Sequence, residues 1–236
     1  MLRIIYCIYQ ILVLPILVFN TLMCAIITMI FFPFHNSKPI HWVQILWCRL
    51  FFYWLFIPVT VDGLENIAPN QSYVFVANHS SMFDVFLIYG WLPVVFKWLM
   101  KKELRKVPFV GTACKAAGHI FVDRSNARSS ARSLIEIKKQ LHDGVCTVIF
   151  PEGTRSKDGQ LGRFHSGAFR IAFDLGLPVI PLSLSGCYNV QRKGEYFVHR
   201  HPVHLHIGEP VDISQTEDKN EAMEIVRQAV EKGIKK

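Results

Sequence analysis

Apolar and polar positions divide the chain into two regimes. From Ile4 to Phe34 no side chain carries a charge, and a second apolar run, "WVQILWCRLFFYWLFIPVT", covers residues 42–60. A spanning helix needs about 20 apolar residues, so the first run is long enough to cross a bilayer. The second run holds Trp42, Trp47, Tyr53 and Trp54, with Arg49 near its middle. Aromatic rings of this kind favour the headgroup level, and an arginine at the bilayer centre is costly. Between the runs, "FPFHNSKPIH" contains Pro33, Lys38 and Pro39 and reads as a turn at the interface. The pattern predicts a pair of helices over residues 1–60, anchored in one leaflet. One span followed by an interfacial helix is the alternative. A cleaved signal peptide fits poorly, because the run is too long and no small-x-small site follows it.

Beyond residue 60 the texture changes to short apolar runs separated by mixed stretches. Four runs read as buried strands: "YVFVA" (73–77), "HIFV" (119–122), "CTVIF" (146–150) and "PVIPLSL" (178–184). Helical segments are expected at Phe83–Trp91, 127–141 and 167–175. The later "VHLHIGEPV" alternates like an edge strand, and 217–232 has apolar residues at helical spacing. The expected fold is α/β: a mixed, largely parallel sheet flanked by helices over 61–236, carrying an N-terminal membrane-anchoring helical pair. On this reading, removal of residues 1–60 leaves a folded domain that works poorly on a bilayer substrate.

Each predicted strand is followed by a polar cluster. "NHSSMFD" follows the first, "DR" the second and "PEGTRS" the third. In open α/β sheets ligands bind beyond the carboxyl ends of the strands. Parallel strands would therefore gather His79, Asp84, Arg124, Glu152 and Arg155 along one edge. On a regular helix, five residues place His79 and Asp84 about 140° apart. They meet only if His79 lies in the turn before a helix whose first turn holds Asp84, a start that Ser80 and Ser81 suit as caps. One reading is a general base whose tautomer is fixed by a carboxylate. The other is a capping histidine satisfied locally. No G-x-S-x-G nucleophile elbow occurs, since Phe164 stands where its first glycine would be in "FHSGAF". The base would then activate a hydroxyl of the substrate itself. Arg155 and Arg124 suit an anionic group, which a guanidinium binds with two parallel hydrogen bonds.

Charge and composition narrow the partners. The formal net charge is +8, of which residues 1–60 contribute +3 without a single acidic residue. A basic chain has two obvious partners, nucleic acid or an anionic membrane surface, and the apolar N-terminus selects the membrane. Within "KWLMKKELRK" (97–106) five residues are basic and one acidic, fit for anionic headgroups or for a solvated face. Six scattered cysteines form no C-x-x-C pair and read as free thiols. His204 and His206 share a strand face, but no carboxylate or cysteine is spaced to complete a metal site, so none is expected.

Taken in order, these blocks resemble the glycerolipid acyltransferases, specifically the 1-acylglycerol-3-phosphate acyltransferases. "NHSSMFD" matches the N-H-x4-D block, "GHIFVDR" the second block with Lys101 upstream, "FPEGTRS" the third and "VIPLSL" the fourth. The match covers about residues 60–210. The resemblance implies His79 as general base, Asp84 as its orienting partner, and Glu152, Gly153, Thr154 and Arg155 around the acceptor's glycerol phosphate. Lys101 and Arg124 would assist with phosphate. It implies transfer of an acyl chain from acyl-CoA or acyl carrier protein to the sn-2 hydroxyl of lysophosphatidic acid. No separate cofactor is needed, and the work is done at the cytoplasmic face of an inner or endoplasmic-reticulum-type membrane. A related enzyme for another lysolipid, or a non-catalytic membrane-binding protein, is the rival reading. One departure is visible: His165 and Ser166 stand where relatives often carry lysines.

Overall fold

The structure, a computed structural model, describes residues 2–34, 38–122, 135–166, 176–213, 216 and 218–235. Its frame is a seven-stranded sheet in the order β1-β7-β6-β2-β5-β3-β4. The strands are β1 (Val59–Asp62), β2 (Val74–Ala77), β3 (Phe96–Lys101), β4 (Ile120–Val122), β5 (Cys146–Ile149), β6 (Val179–Ser185) and β7 (Val203–Ile207). β2, β3, β4, β5 and β6 run parallel, β7 pairs antiparallel with β6, and β1 pairs parallel with β7. The mixed, largely parallel α/β sheet expected from the sequence is therefore present. The helices are α1 (Leu2–Ile30), α2 (Lys38–Trp54), α3 (Phe83–Trp91), α4 (Val110–Ala116), α5 (Cys187–Val190) and α6 (Lys219–Gly233).

The central strands form where the apolar runs are unbroken. Every residue of β2, β5 and β6 is buried, as covering both faces of a parallel sheet requires. Two strands escape the pattern. β1 is only four residues long and alternates, and β3 contains Lys97, which sequence alone assigns to a basic surface stretch. Lys97 is 1% exposed, and its ammonium donates to the Ala117 carbonyl at 2.7 Å. Burial lowers its pKa to about 8.

One expectation about position is overturned. β7 is not an edge strand, because β1 covers it. A carboxylate does face its histidines after all: Asp62 of β1 accepts from His204 Nε2 at 2.7 Å and from His206 Nδ1. The three residues tie the edge strand down, and among the described residues no group is arranged to hold a metal. The helix expected at 167–175 lies outside the described residues, as does most of that at 127–141.

α1 and α2 pair as an antiparallel hairpin, and the few polar groups of α1 set their register. Tyr6 donates to Leu55 O and Tyr9 to Trp54 O, each at 2.7 Å, while Asn20 donates to Trp47 O at 3.2 Å. Gln10 pairs with both backbone groups of Val198, at 3.0 and 2.9 Å. Unpaired polar groups in an apolar surrounding are expensive, so these bonds choose which face of α1 meets protein. The opposite face leaves Ile4, Ile8, Ile11, Leu12 and Phe19 exposed. Of the described helices, only α1 is long and apolar enough to cross a membrane. Arg49, which argued against burial of α2 in lipid, faces protein: it donates to Gly90 O at 2.7 Å, at the carbonyl end of α3, and lies over Trp91.

The division at residue 60 is one of surface character, because the core is shared. Val13, Leu17, Cys48 and Phe52 belong to the same buried cluster as Phe75, Ala77, Leu87 and Val148. Phe52 is fully buried and meets Phe83 and Trp91 edge-on, with centroids 5.6 and 4.9 Å away. The core thus runs across the boundary expected at residue 60. Truncating a buried phenylalanine to alanine costs about 3–5 kcal/mol, a large share of a typical total of about 5–15 kcal/mol. Phe52→Ala is expected to lose that much in denaturant unfolding in detergent. A fragment beginning at residue 61 is expected to lack a cooperative transition; native-like stability in that fragment would contradict the shared core.

Candidate active site

All five mutually parallel strands end on one edge of the sheet, and the polar clusters follow them there. β2 and β5 are neighbours, so the residues after Ala77 and after Ile149 meet directly. Asn78 opens the first cluster. Its side-chain amide donates to Leu184 O at 2.9 Å and accepts from Leu184 N at 2.8 Å. It thereby continues the β2–β6 ladder one step beyond the last strand residue and fixes the path into His79.

His79 is held at four points. Its amide donates to Glu152 Oε1 at 2.8 Å, and its carbonyl accepts from Ser156 N at 2.8 Å. Its Nδ1 lies 2.9 Å from Asp84 Oδ2, and its ring stacks on Phe150 with centroids 3.9 Å apart. Phe150 in turn stacks on Trp98. Nε2 makes no hydrogen bond among the described residues. An ionised carboxylate accepts only, so a neutral His79 must carry its proton on Nδ1, and its lone pair then sits on Nε2.

Asp84 reaches His79 because α3 begins at Phe83, leaving 79–82 as a turn. The same oxygen, Oδ2, also accepts from Ser80 N at 2.6 Å and Ser81 N at 2.7 Å. Asp84 is fully buried. The turn geometry inferred from the five-residue spacing is therefore present. The expected caps are only partly so: the residue preceding the helix is Met82, while Ser81 Oγ accepts from Phe83 N at 3.2 Å and donates to Gln191 O at 2.7 Å.

Glu152 turns toward protein. Oε1 takes the His79 amide and Oε2 takes Gly162 N at 3.1 Å, so it joins the first and third motifs through backbone. Burial raises its pKa against these two donors. Gly153 follows with φ 72°, a left-handed turn that suits glycine. Thr154 and Arg155 come next, on the wall of a cleft of about 370 Å³ that also takes in Lys157, Arg163, His165 and Lys193. Arg155, Lys157, Arg163 and Lys193 form no ion pair among the described residues. Asp158, the nearby acid, is occupied by Ser156 Oγ at 2.8 Å and Gln160 N at 3.0 Å. Four cations against the two carboxylates Glu152 and Asp158 leave the cleft with an excess of positive charge, and its Glu152 and Ser156 hold the His79 backbone.

Tyr188 braces the loop that carries Lys157. Its hydroxyl donates to Lys157 O at 3.1 Å, and the Arg192 guanidinium lies 5.3 Å above its ring. Gly159 sits against the same ring, where a Cβ would come within 2.9 Å. These contacts bring Lys193 to the cleft, and no local sequence signal marks it. Asn78 and Phe150 also escaped notice as functional residues, although both lie inside the recognised blocks. Lys101 ends β3 opposite Val122 of β4; β3 adjoins β5 and so lies two strands from β2, and the Lys101 side chain is not described. Arg124 lies outside the described residues.

The chain was compared with known proteins. A family model described as Acyltransferase matches residues 58–185, which contain every block discussed above. A chloroplast 1-acyl-sn-glycerol-3-phosphate acyltransferase of Arabidopsis thaliana is 32% identical over 168 residues, covering 71% of this chain and 47% of the relative. A 1-acyl-sn-glycerol-3-phosphate acyltransferase of Borreliella burgdorferi is 28% identical over 180 residues, covering 75% and 72%. The chain spans about half the length of the plant relatives it matches. The crystal structure of the 1-acyl-sn-glycerophosphate acyltransferase from Thermotoga maritima superimposes with a TM-score of 0.83 at 27% identity, covering 99% of this chain and 97% of that one. With the matched segment spanning more than half of its length, the chain belongs to the acyltransferase family.

Proposed function

We propose that the protein transfers an acyl chain from acyl-CoA or acyl carrier protein to the sn-2 hydroxyl of 1-acylglycerol-3-phosphate, giving phosphatidic acid. The observation that carries this reading is the four-point hold on His79 with Nε2 left open. Asp84 keeps the proton on Nδ1, so Nε2 takes the proton of the acceptor hydroxyl. The oxygen attacks the thioester carbonyl, the C–S bond breaks, and the imidazolium returns its proton to the departing thiolate. No covalent acyl-enzyme is involved.

The tetrahedral intermediate needs hydrogen-bond donors for its oxyanion. The amides of Ser80 and Ser81 at the start of α3 are unsuited, because both already donate to Asp84. The turn at Thr154 and Arg155 is a source, since their amides meet no protein acceptor among the described residues. Arg155, with Lys157, Arg163 and Lys193 around it, receives the acceptor phosphate. Gly153 allows the backbone to turn there. Lys101 and Arg124 assist with phosphate, and Glu152 acts as a tie between motifs rather than as a substrate contact.

The acceptor and the product both reside in the bilayer, which accounts for the exposed face of α1. Placement of α1 and α2 in the cytosolic leaflet is supported by the docking of α1 along its length. Gln10 binds Val198, Asn20 binds Trp47 of α2, and α4 also packs on the helix. A helix held flat against the domain in this way does not cross the membrane alone.

Two outcomes test the chemistry. Removing a general base costs about 10²–10⁴ in rate, so His79→Ala is expected to lose that much turnover while remaining folded, and Asp84→Asn to fall sharply through the wrong tautomer. Near-normal turnover in His79→Ala rejects the assignment. Arg155→Lys keeps charge but loses the planar fork, so acceptor KM is expected to rise about tenfold while donor KM moves little. Equal shifts for both substrates would make Arg155 structural.

A further inference from the structure

β3 delivers the chain to the active-site edge at Lys101, and the next nine residues, 102–110, are all exposed. Their composition is unusual for a solvated loop. Leu104 is 40% exposed, Val107 40%, Phe109 59% and Val110 38%. Single exposed apolar residues need no explanation, but four within seven positions form a patch. Lys102, Arg105 and Lys106 stand beside them, with Glu103 as the sole acid.

The segment is built rather than loose. A 3-10 turn covers Lys102–Lys106, Val107 N donates to Leu104 O at 3.2 Å, and Gly111 N donates to Val107 O at 2.9 Å. Gly111 packs so closely on this turn that a Cβ would lie 2.3 Å from Arg105 O. Phe109 is held at φ 61° and ψ −49°, a conformation that a bulky residue avoids. The fold thus strains an aromatic residue while leaving most of its surface outside the core. Such strain persists where the surroundings enforce it, and it points to function.

We propose that residues 102–110 form a second membrane-docking element. Leu104, Val107, Phe109 and Val110 enter an anionic bilayer as an apolar wedge, with Lys102, Arg105 and Lys106 as a basic collar at the headgroups. Two observations name the bilayer as the occupant. The wedge adjoins the helical anchor, because α4 begins at its last residue and packs on α1. The collar also matches anionic lipid, whereas a second copy of this chain would bring like charge against it. The element lies on the strand edge that carries His79, so its insertion seats that edge on the surface where the acceptor is found. This goes beyond anchoring by α1 and α2 and does not require the proposed chemistry.

The test introduces Phe109→Trp, and separately Val107→Trp, in the full chain reconstituted into vesicles containing brominated lipid. Quenching of the added indole is read against the parent protein. In vesicles containing phosphatidylglycerol both added residues are expected to be quenched, about twofold more than in phosphatidylcholine alone. The charge reversals Lys102→Glu, Arg105→Glu and Lys106→Glu together are expected to abolish the difference. No quenching above the parent, quenching independent of lipid charge, or an indole shielded from both bromine and aqueous quencher would each overturn the proposal. The readout needs no turnover, so its failure and that of the acyl-transfer reading are separate events.

Discussion

A single carboxylate oxygen, Asp84 Oδ2, organises the site. It accepts from Ser80 N, Ser81 N and His79 Nδ1 within 2.9 Å, in a position closed to solvent. Moving a carboxylate out of water costs several kcal/mol, and each hydrogen bond to a charged group contributes about 1.5–3 kcal/mol, so three donors offset the cost where one would not. The two backbone bonds fold residues 79–82 into a turn, and the third orients the imidazole within it. Helix start, turn and imidazole orientation are consequences of one buried acceptor. Glu152 repeats the device on the other side, spending both oxygens on backbone donors.

The same economy links chemistry to membrane. The parallel strands bring the motifs to one edge, and the shared core couples that edge to the helical hairpin through Phe52, Phe83 and Leu87. His79 therefore sits at a fixed position relative to the apolar surface of α1. A hinged anchor would hold the domain near lipid without fixing its orientation. On the proposed function a bilayer-confined acceptor needs both, because its hydroxyl would have to meet Nε2 from one side.

The sequence was most readable where one physical demand dominated. Unbroken apolar runs located β2, β4, β5 and β6, because strands covered on both faces tolerate little else. β3 was hidden by Lys97, whose buried ammonium depends on a carbonyl 20 residues away. β7 was read as an edge because its histidines alternate, and their partner Asp62 is 142 residues distant from His204. The same limit applies to the site. His79 and Asp84 were legible through helix geometry over five residues. The grip of Glu152 on the His79 amide, and the arrival of Lys193 beside Arg155, depend on tertiary neighbours that no local pattern encodes.

The central claim is that Asp84 fixes His79 with its proton on Nδ1 and Nε2 bare. Nitrogen-15 NMR of histidine-labelled protein in bilayers reads this tautomer directly, with His79→Gln identifying the resonance. At a pH where His79 is neutral, the account requires a pyrrole-type shift at Nδ1 and a pyridine-type shift at Nε2, and a mixture of tautomers once Asp84 is replaced by asparagine. A proton resident on Nε2 in the unaltered protein would contradict it, because no lone pair would then be available to receive the proton of the acceptor hydroxyl.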